Sequence, residues 1–109
     1  MFQKSIILTV LACCTILLIM AGSAHAHKVN VFAYAENGTI YTESYFPDGK
    51  PVVDGTIEVY GEAKTKLLEG KTDAEGKFSF PIPKKEDIII VINASMGHRN
   101  EYTIKKDEL

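Results

Sequence analysis

Beyond residue 26 the chain has no cysteine; its two, Cys13 and Cys14, both lie in the apolar run that opens it. The remainder therefore holds no disulfide, no thiolate metal site and no cysteine nucleophile. A lipoprotein cysteine is not indicated either, because apolar residues rather than a polar linker follow Cys14. A basic face is also lacking. Residues 27–109 carry all 14 acidic residues and 11 of the 12 basic ones, interspersed, for a net charge of −3. That pattern argues against a nucleic-acid partner, and no acidic tail marks disorder. No glycine-rich phosphate loop occurs, and no nucleophile sits in a local catalytic signature. Ser95 and His98 are too isolated a pair to make an enzyme, so none is expected.

What is present begins with an export pattern. Met1-Phe2-Gln3-Lys4 carries one positive charge, Ser5 to Gly22 is uncharged and rich in Ile and Leu, and Ala24-His25-Ala26 places small residues before a cut. This predicts a signal helix over residues 1–26, cleaved before His27, and a single domain over 27–109 in the periplasm or another extracytoplasmic space. Gly22-Ser23-Ala24 allows a cut after Ala24 instead, and the run is just long enough to persist as an uncleaved anchor.

Almost every later segment reads as a strand. Val29–Tyr34 and Ile40–Phe46 are β-rich runs joined by Asn37-Gly38, a strong hairpin signal. Pro47 to Pro51 and Asp73 to Gly76 are turns, and Thr56–Tyr60 alternates polar and apolar residues. Lys66–Lys71 and Lys77–Phe80 follow as further strands, and Pro81 to Lys85 is an exposed connection. Ile88–Ile92 is continuously β-branched, as in the centre of a sheet. Residues 93–100 read as a loop and Glu101–Ile104 as the last strand. The fold class expected is all-β, a small seven-stranded antiparallel sandwich of Ig-like or transthyretin-like type. At this size its core is modest.

Gly49-Lys50-Pro51-Val52 and Thr72-Asp73-x-x-Gly76-x-Phe78 together resemble the carboxypeptidase-regulatory-like, or transthyretin-like, sandwich module. That likeness speaks to fold and hardly to function. The segments "HKVNVFAY", "TESYFPDGKPV", "EGKTDAEGKFSF" and "NASMGHRNEYT" resemble more specifically a small extracytoplasmic accessory component of nickel or cobalt uptake transporters of the energy-coupling-factor type. The resemblance implies a prokaryotic exported protein that captures the ion and delivers it to a membrane permease. Membrane contact is expected through the transporter or an uncleaved signal anchor.

The residues supply a chemistry for that role. A free N-terminal His27 offers its amine and Nδ1 as a chelate, and imidazole suits nickel, copper and zinc. His98 lies in the loop before the last strand. In a seven-stranded antiparallel sandwich the first and last strands begin at the same end and often run parallel, which predicts that His27 approaches His98. Asp48, Glu43 or Glu101 would add an oxygen ligand, and Met96 a thioether if the ion were Cu(I). Met96 is otherwise expected to pack on the core. Cleavage after Ala24 would instead leave His25-Ala26-His27, which binds Cu(II) or Ni(II) square-planar through amine, amides and imidazole. Arg99 and Glu101 share one strand face, either as a solvated edge or as residues that orient His98. The terminal Lys106-Asp107-Glu108-Leu109 matches a retention tetrapeptide and is read as coincidence. Three alternatives stay open: an interaction module of a membrane transporter that binds no metal, a periplasmic copper-binding protein using the same N-terminal histidine, and a luminal eukaryotic protein.

Overall fold

The computed structural model describes residues 28–109. The expected signal helix and His27 lie outside the described residues. Seven strands follow in chain order: β1 (Asn30–Glu36), β2 (Thr39–Tyr45), β3 (Thr56–Tyr60), β4 (Lys66–Lys71), β5 (Lys77–Pro81), β6 (Ile88–Asn93) and β7 (Arg99–Ile104). They form two antiparallel sheets, one of three strands in the order β1-β2-β5 and one of four in the order β4-β3-β6-β7. The expected all-β sandwich of seven antiparallel strands is thus what the chain builds. Among the described residues no helix is long and apolar enough to cross a membrane.

Local chemistry explains the turns. Asn37 and Gly38 both take positive φ, 51° and 79°, as a two-residue hairpin of right-handed twist requires. The turn sets the β1–β2 register from Glu36↔Thr39 back to Asn30↔Tyr45. Alternation then sends Val31, Ala33 and Ile40 inward with Phe80 of β5. They meet Ile57 and Val59 of β3, Ile88, Ile90 and Ile92 of β6, and Ile104 of β7. Ile90 is fully buried at the centre of this layer. β6 lies between β3 and β7; on its outward face Val91 is only 1% exposed, while Ile89 is half-buried.

Several strand ends differ from expectation by one or two residues, β1 and β2 among them. β6 continues through Asn93, which pairs with Arg99, so the loop shrinks to residues 94–98 and β7 starts two residues early. The ladder extends because Ala94 N–H donates to His98 O at 2.8 Å and closes the loop tightly. Pro81 ends β5 rather than starting the connection, as an edge strand tolerates. Finally, β1 and β7 do run parallel, but at adjoining edges of the two sheets. Asn100 Nδ2 donates to Val29 O at 2.9 Å, and the Phe32 and Tyr102 rings meet edge-on at 5.5 Å.

Candidate functional site

Up-and-down alternation brings loops 46–55, 72–76 and 94–98 to the end of the sandwich where β1 begins. The turn at Pro47–Pro51 and the loop before the last strand were expected at this end together with His27, which lies outside the described residues. A ring contact connects two of the loops: Phe46 and His98 meet edge-on at 6.4 Å. His98 is half-buried and extended, with φ −69° and ψ 125°.

Loops 46–55 and 72–76 are joined by one buried hydroxyl. Thr72 Oγ1 donates to Val52 O at 2.6 Å and accepts from Gly55 N–H at 2.8 Å. Asp73 Oδ1 accepts from Glu75 N–H at 2.8 Å and Lys77 N–H at 2.9 Å, which closes the next turn. These bonds, the one from Lys77 foremost, hold the Asp73 carboxyl below the usual carboxylate range. Gly76 has φ +76°, and a Cβ there would run into the carbonyl oxygen of Ser44. The Thr72-Asp73-x-x-Gly76 signature is therefore a set of backbone locks.

The other residues expected at the site stand apart. Asp48 is exposed, and its Oδ1 accepts from Lys50 N–H at 3.0 Å within its own turn. Glu43 sits on the outer face of the three-stranded sheet, opposite Phe32 on one side and Lys77 on the other. Glu101 lines a groove on the outer face of the four-stranded sheet with Tyr60, Ile89, Val91 and Arg99. Arg99 and Glu101 thus share a face as expected. Met96 does not pack on the core: it is 93% exposed at the loop tip with φ +63°, because the tight closure turns its backbone left-handed and its side chain out. Among the described residues no three His, Cys, Asp or Glu side chains converge as a metal group. His98 is the one expected imidazole ligand among them; His27 lies outside.

Two features were not read from the sequence. Glu58 forms a polar cluster on the four-stranded sheet, accepting from the Tyr60 hydroxyl at 2.6 Å and from Asn93 Nδ2, with Lys66 at 3.4 Å. Tyr60's bond comes first among the causes that hold the Glu58 carboxyl low. The alternation of Thr56–Tyr60 was the available signal, since it puts Glu58 and Tyr60 on one face. The second feature is aromatic. Phe32, Tyr34, Tyr41 and Tyr45, all roughly two-fifths exposed, share the outer face of the three-stranded sheet.

The chain was compared with known proteins on this footing. No protein-family model matches it, and no solved structure matches it. It is 31% identical over 80 residues to an uncharacterized protein of Haemophilus influenzae, an alignment covering 71% of this chain and 50% of that protein. The chain thus spans about half the length of the curated relative it matches.

Proposed function

We propose that this chain is an exported accessory protein of nickel or cobalt uptake, built on an Ig-like or transthyretin-like sandwich, that captures the ion and passes it to a membrane permease. The observation that carries the reading is the bond from Asn100 Nδ2 to Val29 O at 2.9 Å. It ties the start of β1 to the start of β7. His27 precedes Val29 by two residues, and His98 precedes Asn100 by two. In this proposal cleavage before His27 frees an amine and ring that join His98 around a nickel ion, with Asp48 as the oxygen donor from the adjoining turn. Glu101 is the weaker candidate for that oxygen, because it lines the groove on the opposite sheet's outer face. Cobalt and copper fit the same nitrogen donors, and the thioether of exposed Met96 would favour Cu(I). The ion is cargo, and the chain binds and hands on rather than catalyses.

A bacterial setting is supported by the bacterial relative. The retention reading of the last four residues is disfavoured by their packing: Lys106–Glu108 form a 3₁₀ turn, Lys106 N–H donates to Asp87 at 2.8 Å, and Leu109 packs against the core. A second reading is a transporter docking module that binds no metal.

Intact mass of the exported protein, followed by nickel titration of wild type, His27→Ala and His98→Ala, tests the proposal. A chain starting at His27 that binds one nickel, with affinity lost in both variants, is the expected result. A chain starting at His27 that binds no nickel overturns metal capture and leaves the docking module. Binding that survives His98→Ala but fails in His27→Ala would reduce the site to an amino-terminal chelate.

A further inference from the structure

A run of four aromatic rings crosses from the edge of the four-stranded sheet onto the outer face of the three-stranded sheet. Tyr102 of β7 meets Phe32 at 5.5 Å, Phe32 meets Tyr34 at 6.0 Å, and Tyr34 stacks on its cross-strand partner Tyr41 at 5.3 Å and 19°. Burial does not explain this row, since Phe32 is 43% exposed, Tyr34 41% and Tyr41 38%. Exposed aromatics gathered on one face of a small domain mark a binding surface more often than chance.

The row ends in a groove. Tyr34 and Tyr41 form part of its wall, and Glu43, Lys71, Asp73 and Lys77 stand along the rest. Its volume is about 510 Å³, inside the range of ~300–1,000 Å³ typical of small-ligand clefts. A concave groove of this size suits a chain of small rings better than the flat surface of a folded partner. The charges narrow the choice further. Two carboxylates face two ammonium groups, so the groove has no excess of either sign. Phosphate, nucleic acid or an anionic lipid surface would find no net attraction here. An uncharged polyhydroxylated ligand would, because each hydroxyl can donate to a carboxylate and accept from a lysine. Tyrosine rings complete the match: each offers an apolar face to sugar C–H groups and a hydroxyl at its rim.

We propose that this groove is a saccharide site, in which an uncharged oligosaccharide lies with a pyranose face against Tyr41 and Tyr34 and with its hydroxyls on Glu43 and Lys77. Lys77 already touches Glu75 at 3.4 Å on the surface, and an exposed pair of that kind exchanges partners at little cost. The site is independent of His98 and of any metal.

The chain has no tryptophan, and four of its five tyrosines, Tyr34, Tyr41, Tyr45 and Tyr102, stand on or beside this face, so tyrosine fluorescence reports mainly on it. The exported protein would be titrated with cellotetraose, chitotetraose and maltotetraose at up to millimolar sugar, with backbone amide NMR shifts followed in parallel. At least one sugar is expected to give a saturable change centred on Tyr34, Tyr41 and Glu43. Tyr41→Ala should weaken it about tenfold or more while Tyr41→Phe retains it, since the ring face carries the contact. Tyr60→Ala, on the other sheet, should leave it unchanged. No saturable change with any of the three sugars overturns the proposal. So does binding that persists unaltered in a folded Tyr41→Ala protein. Shifts at the groove that follow protein dilution rather than sugar would show a second copy of the chain in its place, and also overturn it.

Discussion

Loops 46–55 and 72–76 meet at the end of the sandwich where loop 94–98 also stands. In the first two, Thr72 lies buried and bridges Val52 and Gly55, Asp73 accepts two backbone N–H groups, and Ser44 N–H donates to Gly76 O at 2.8 Å. Loop 94–98 has a short 3₁₀ turn, the bond from Ala94 to His98 O, and a methionine held out in solvent. The contrast separates two uses of one end of a fold. Dense backbone locking makes a loop part of the core's architecture. A loop that turns its tip outward presents side chains to solvent, as loops that meet a ligand do. The candidate ligand His98 stands in the second kind.

The contrast can be broken or sharpened by substitution, beginning with the locked loops. Gly76→Ala forces a side chain into φ +76° and against the Ser44 carbonyl. It should cost roughly 3 kcal/mol in urea unfolding. A midpoint equal to wild type would show that the two loops are not locked together. Thr72→Val keeps the shape but removes both hydroxyl bonds, leaving Gly55 N–H buried without its acceptor. A loss of about 2 kcal/mol is expected in the same assay.

Acid should act on the same loops more gently. The Asp73 carboxyl is held low in the folded chain, so its contribution is fully present above the ordinary aspartate value of about 4. It is lost as pH falls through the folded value, because the unfolded chain then binds the proton more readily. Asp87, held low by Lys106 N–H, and Glu58 act with the same sign in the same window. Unfolding followed from neutral pH down to about 3 should therefore show falling stability, and Asp73→Asn should flatten that limb. Parallel acid limbs in the two proteins would remove Asp73 from the account.

The smallest effect, of opposite sign, belongs to loop 94–98. Met96 is 93% exposed with φ +63°, so its side chain contributes little packing while its backbone is strained. Met96→Asn, which accepts that conformation, should raise stability by up to about 1 kcal/mol. A fall instead would mean that the methionine contacts something in solution that stabilises the loop.

Much of the fold was legible because its signals are local. The Asn37-Gly38 hairpin, the alternation of Thr56–Tyr60 and the β-branched run of β6 each state a conformation within a few residues. The placing of the turn at Pro47–Pro51 and the loop before β7 at one end follows from strand count alone. The candidate site was legible only as residue types. Nothing near Glu101 in sequence tells that it faces Tyr60 and Val91, or that Met96 turns outward. The aromatic row escaped notice because its members come from β1, β2 and β7, and only pairing makes them neighbours.

By itself the sequence determined the seven strands, to within a residue or two at their ends, and most of the turns between them. Alternation and turn chemistry act over short stretches of chain and have one favourable answer each. Only the tertiary structure decided that β5 leaves β4 and pairs with β2, so that the order becomes β1-β2-β5 against β4-β3-β6-β7. Several apolar strands of similar length could satisfy the same core. The choice among them rests on contacts distant in sequence, such as Thr72 to Val52 and Gly76 to Ser44, whose energies exist only once the two sheets have met.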